Sequence, residues 1–215
     1  KEQMEILRQM GMGGFHIHSR IGLDTEYLGE EFLDDVRFCV DYAREQGMGC
    51  WLYDEDKWPS GYGAGLVTKD PEYKNRFLLF SPERKQDGYM KQKNPRAENR
   101  LATGGEGRLA ARYEVTLKAG RLAGYRRLGE TDEDGEHTWF AYVVTAETSP
   151  WFNNQSYGDT LNRKAMEAFV RQIYERYYEA VGEEFGKTVP AVFTDEPQFS
   201  RKDCLEFAEG KEELK

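Results

Sequence analysis

Three stretches of the chain end an apolar run in side chains that exchange protons or bind polar groups. They are His16 and His18 in GFHIHSR, Asp54, Glu55 and Asp56 in CWLYDED, and Asp195 and Glu196 in VPAVFTDEP. Carboxylates gathered in one cleft suit a reaction that needs a proton donor and an anion together. One acid stays protonated and delivers its proton to a leaving oxygen, while a charged partner attacks or activates water. Mutual repulsion raises one carboxyl pKa and leaves the other low. That division of roles is what cleavage of a glycosidic bond requires.

Aromatic residues beside the acids strengthen this expectation, because sugar rings present apolar C–H faces to indoles and phenols. Trp58 and Tyr62 follow the DED run, and Trp151 and Tyr157 lie in a second loop. The plainer reading is that these rings pack their own loops. WPSGYGAG is rich in glycine but has neither the GxGxxG spacing nor a Walker lysine, so it is not a phosphate loop. The substrate-binding candidates are thus His16, His18, Asp54, Glu55, Asp56, Trp58 and Tyr62.

The His-x-His pair has a rival reading. Alternation along a strand points both imidazoles to one side, where they can hold a divalent metal. The only other histidine is His137, inside a segment of different character. No metal or other cofactor is therefore assigned. A metal-dependent amidohydrolase-like barrel and a non-catalytic carbohydrate-binding protein stand as alternatives to a glycosidase.

The elements that would position these residues are legible from hydrophobic spacing. Residues 2–10 carry a helical stripe of Met4, Ile6, Leu7 and Met10, stopped by Gly11 and the Gly13-Gly14 pair. A strand follows, with Phe15 and Ile17 on one face and the two histidines on the other. An amphipathic helix is predicted from about Glu30 to Gln46, with Phe32, Val36, Cys39, Val40 and Ala43 inward and Gly47 as its C-cap. In the next strand Leu52 shares a face with Asp54 and Asp56, which we read as the interior face. Trp51, Tyr53 and Glu55 take the other, under the helices.

Helix, strand, helix, strand with short connections is the pattern of βαβ units and a parallel sheet. From residue 75 to 150 the text changes to short strands, FLLFS, ARYEVTL, RLAGYRRL and HTWFAYVVTAE, separated by QDG, NPRAEN, TGGEG and TDEDGE. After it a helix is predicted from about Arg163 to Phe185, capped by Asp159 or Asn162. The expected architecture is a partial (β/α)8 TIM barrel: strand-helix units over 1–74, an inserted antiparallel β subdomain over 75–150, and a continuation over 151–215. Ligands in such folds bind at the C-terminal strand ends, where the three polar groups fall.

Bulk properties exclude several classes. The 215 residues carry a formal net charge of −9. The densest basic stretch, Lys85–Arg100, lacks interleaved aromatics, so nucleic acid is not an expected partner. No run approaches the roughly 18 apolar residues of a membrane span. Cys39, Cys50 and Cys204 fit neither a disulfide framework nor a zinc spacing. A full barrel takes about 250 residues, so the chain is expected to be part of a longer protein with further domains.

Four stretches, GFHIHSRIGL, WLYDEDKWPSGYGAG, SYGDTLNRKAMEAFVRQIYERYYEAVGEEFG and VFTDEP, resemble bacterial glycosyl-hydrolase-like barrel proteins similar to the α-L-rhamnosidase family. They cover about half the chain, in the family's order. The resemblance implies a multidomain bacterial enzyme of glycan degradation, cytoplasmic, periplasmic or secreted, with a carbohydrate substrate. Asp-Glu-Pro at 195–197 also resembles the Asn-Glu-Pro of the largest barrel glycosidase clan, in which the Glu is the acid/base. Carried over, that makes Glu196 catalytic, with Asp195 beside it in place of the usual Asn. No stretch resembles that clan's nucleophile strand.

Overall fold

The computed structural model describes residues 1–91, 104–119 and 121–198. In chain order they form α1 (Glu2–Gln9), β1 (Gly14–His16), α2 (Glu30–Gln46), β2 (Gly49–Tyr53), β3 (Arg76–Ser81), β4 (Gly88–Lys91), β5 (Gly104–Lys118), β6 (Arg121–Leu128) and β7 (Thr138–Ala146). Helix α3 (Arg163–Phe169) then runs through a π-helical stretch, Val170–Tyr174, into α4 (Glu175–Val181), and β8 (Val192–Phe193) follows. Two compact units result, one of residues 1–73 with 158–198 and one of residues 74–157.

In the first unit the strands form a parallel sheet of order β1-β2-β8. Its register pairs Gly14 with Gly49, His16 with Trp51, and Tyr53 with Phe193. The glycines follow from one side chain. A Cβ on Gly14 or Gly49 would strike the Trp51 ring, which lies across both strands at their entry. Helix α2 forms where its apolar spacing predicts, burying Phe32, Leu33, Val36, Val40 and Ala43. Gly47 ends it in the left-handed region at φ 66°, and the N–H of Met48 returns to the Ala43 carbonyl at 2.8 Å. Each buried side chain of this kind contributes about 1.5–3 kcal/mol relative to exposure. Helix α1 adds Met4 to the core, and its Glu5 accepts the Tyr42 hydroxyl at 2.6 Å.

Asn162, not Asp159, caps α3, its side chain accepting the Lys164 N–H at 3.1 Å. One face of the sheet, Phe15, Ile17, Cys50, Leu52 and Val192, packs against α2, the π-helical stretch and α4 through Val36, Val40, Ile173 and Tyr177. This reverses the expected parity of β2. The Leu52 face lies under the helices, and Tyr53 faces the histidines instead. Parity on one strand fixes which residues share a face but not which face meets the helices.

The second unit is an antiparallel sheet of order β3-β7-β5-β4, with β6 paired to β5. Phe77, Leu79, Met90, Phe140, Tyr142 and Val144 form its core. Arg112 clamps the loop before β7, donating to the carbonyls of Gly129 at 2.6 Å and Asp132 at 3.0 Å and to Asp134 at 2.6 Å. The sequence places the β-rich segment at 75–150, and the compact unit runs from Lys74 to Tyr157.

The partial (β/α)8 TIM barrel is not what forms. The described residues give three parallel strands in an open sheet with β1 and β8 at its edges, and a separate five-stranded antiparallel sheet. The fold is mixed α/β. Alternating helix and strand patterns dictate parallel pairing, but neither the number of strands nor closure of the sheet. Cys50 is buried and Cys39 half-buried, both as free thiols. Cys204 and the NPRAEN turn lie outside the described residues.

Candidate functional site

The C-terminal ends of β1, β2 and β8 lie side by side, and their polar residues emerge there together. The His18 ring stacks on Tyr53 with centroids 3.9 Å apart, and His16 meets Phe193 edge-on at 5.3 Å. Tyr53 is fully buried, while Phe193 is 43% exposed. The two imidazoles are 5.8 Å apart at 63°. Burial lowers the pKa of both. At His18 the positive charges of Arg20 and His16 lower it further against the pull of Asp195. His18 Nε2 is buried and has no hydrogen-bond partner. Neutral imidazole at this position leaves one nitrogen unfilled and shielded from solvent.

Beyond β8 the backbone turns sharply. Glu196 takes a left-handed φ of 42°, a conformation costing a non-glycine residue about 1–3 kcal/mol unless its surroundings fix it. Its exposed carboxylate accepts the Trp58 indole N–H at 3.0 Å, and its carbonyl accepts the Gln198 amide at 2.9 Å. Asp195, half-buried beside it, accepts the Tyr53 hydroxyl at 3.4 Å. Structure thus brings Glu196, Asp195, Trp58, His16 and His18 to one end of the sheet.

The DED run serves a different purpose from the one expected. Glu55 is fully buried, and its two carboxylate oxygens collect five backbone N–H groups. Oε2 accepts from Gly61 at 3.2 Å, Tyr62 at 3.1 Å and Gly63 at 2.7 Å; Oε1 accepts from Asp56 at 3.2 Å and from Ala64. Gly61 and Gly63, at φ 124° and 58°, let successive N–H groups turn inward. The loop is an anion nest of the kind that holds phosphates, filled here by the chain's own carboxylate. Burial pushes the Glu55 pKa well up, and the N–H groups oppose it. Five donors leave no acceptor for a carboxyl proton, so the cradle fits the anion.

Asp54 is also fully buried. It accepts hydroxyls from Ser60 at 2.6 Å, Thr194 at 2.7 Å and Tyr174 at 2.8 Å. Burial raises the Tyr174 pKa to about 12, which keeps its hydroxyl a donor. Asp56, half-buried, accepts the hydroxyl of Tyr62, itself fully buried. Glu55, Asp54 and Tyr62 therefore build the loop after β2 and do not face a substrate. Trp151 and Tyr157 belong to the other unit, where Tyr157 is buried against Phe152.

Sequence reasoning missed Tyr53, Phe193, Ser60, Thr194 and Tyr174. Ser60 sits inside WPSG and Thr194 directly before the Asp-Glu pair, so proximity to marked residues was an available signal. Tyr174 had none, because the π-helical turn that aims it is not readable from spacing. Among the described residues no group of three or more His, Cys, Asp or Glu side chains is placed to hold a metal ion. Comparison with protein-family models, curated proteins and solved structures gives no match.

Proposed function

We propose that this protein acts on glycosides, with Glu196 delivering a proton to the leaving glycosidic oxygen. The observation that carries the reading is the presentation of Glu196. Its carboxylate stands exposed beyond a parallel strand end, held at one oxygen by an indole N–H, beside Asp195 and an aromatic wall. Protonation of the bridging oxygen lets the C–O bond break, and water supplies the hydroxyl to the sugar carbon and a proton to a base. We assign the adjacent Asp195 the role of holding charge during that step. Trp58 and Phe193 offer apolar surface to a sugar ring.

The test is hydrolysis of a panel of aryl glycosides, an α-L-rhamnoside among them, by the protein and by Glu196→Gln. Turnover of one glycoside that falls about 100-fold or more in the variant supports the assignment. Turnover untouched by the substitution removes Glu196 from the chemistry. Saturable sugar binding without turnover by either protein turns the reading to a carbohydrate-binding module.

A further inference from the structure

Ser60 joins two segments far apart in sequence at the base of the site. Its N–H donates to the Asp195 carbonyl at 2.8 Å, and its hydroxyl oxygen accepts the Asp195 N–H at 2.9 Å. The same hydroxyl donates to Asp54 at 2.6 Å. Asp54 in turn collects Thr194, the residue before Asp195, and Tyr174 from the π-helical stretch. Every link is short, and Ser60 and Asp54 are at most 1% exposed. The network spans the loop after β2, the helix and the end of β8. Its last bonded backbone group lies one residue before Glu196.

We propose that Ser60 is a positioning residue for Glu196. By fixing both backbone groups of Asp195 it sets the direction in which the next residue leaves the strand, and so where the Glu196 carboxylate is presented. Asp54 holds the Ser60 hydroxyl in the rotamer that makes this possible. The π-helical turn supplies the third hydroxyl on Asp54, since such turns re-aim side chains from within a helix. This inference rests on the reading that Glu196 is the proton donor.

The experiment compares the full chain with Ser60→Ala and Ser60→Thr by amide hydrogen exchange and by kinetics on the glycoside found above. In Ser60→Ala the Asp195 amide is expected to exchange at least about tenfold faster, with α2 amides unchanged. The value of kcat falls about tenfold or more while KM stays within about twofold, because the loss is one of aim and not of binding. Ser60→Thr, which keeps the hydroxyl, restores both. An unchanged Asp195 amide overturns the proposal whatever the activity. Unchanged kcat in Ser60→Ala, with Glu196→Gln inactive, overturns it while leaving the proposed function standing. Should Glu196→Gln remain active, the functional reading fails and this one with it. If Ser60→Ala does not fold, Tyr174→Phe reads the same network through Asp54, with the same pattern in kcat and exchange expected.

Discussion

Trp58 and Glu196, 138 residues apart in the chain, meet through a 3.0 Å hydrogen bond from the indole N–H to Oε2. The bond fixes one carboxylate oxygen, and the proposed reaction uses the other. Trp58→Phe keeps an aromatic ring and removes the donor. We expect kcat/KM to fall about 3- to 10-fold, the range of one lost hydrogen bond to a partly solvated group. Trp58→Ala, which also removes apolar surface, should raise KM in addition. Equal losses in both variants would show that the N–H alone matters.

Glu55→Gln tests the nest. The amide replaces one acceptor oxygen by a donor that faces backbone N–H groups, so two or more of them lose their partner. A destabilisation of about 2–4 kcal/mol is expected, in line with breaking a buried charged network. Urea unfolding followed by circular dichroism measures it. A loss below about 0.5 kcal/mol would mean that the loop holds its shape without the carboxylate.

These two residues also show what a sequence can reveal. The clustering of His16, His18, Trp58, Asp195 and Glu196 was readable because strand ends in βαβ units point the same way. The same logic misassigned Glu55 and Asp54. Carboxylates at a strand end look alike in sequence whether they face solvent or accept the next loop's N–H groups. The GYGAG run was the distinguishing sign, since glycines of positive φ close behind an acid can wrap its carboxylate. Helices such as α2 were legible to the residue, because their stripe and their glycine cap are local. The number of strands in the parallel sheet was not, because pairing partners are chosen by tertiary packing.

The histidines are expected to make stability depend on pH, His18 more than the exposed His16. Their pKa values lie below the ordinary 6.5 in the folded protein, chiefly through burial. The unfolded chain therefore binds more protons just below that value. Their contribution is fully present above about pH 6.5 and is lost as pH falls through the folded pKa values. Melting temperature should drop between about pH 7 and pH 5, and His16→Gln with His18→Gln should flatten the drop. An identical slope in the double variant would assign it to carboxylates instead.

Gly158→Ala examines the nest from outside. A Cβ at this position would collide with the Gly61 carbonyl oxygen, in the residue whose N–H reaches Glu55 at 3.2 Å. The Gly158 backbone is held in place by its neighbour, since the Asp159 N–H donates to Tyr73 at 2.9 Å. Relief must come from Gly61, which would carry its N–H away from the carboxylate. We expect Gly158→Ala to cost about 1–3 kcal/mol, as for other overpacked sites. Combined with Glu55→Gln, the losses should not add. Once the carboxylate is gone, displacing Gly61 breaks one bond fewer, so a coupling of about 0.5–3 kcal/mol should appear in the cycle. Strict additivity would mean that the added methyl group is accommodated without moving Gly61, and that the nest tolerates contact on its outer side.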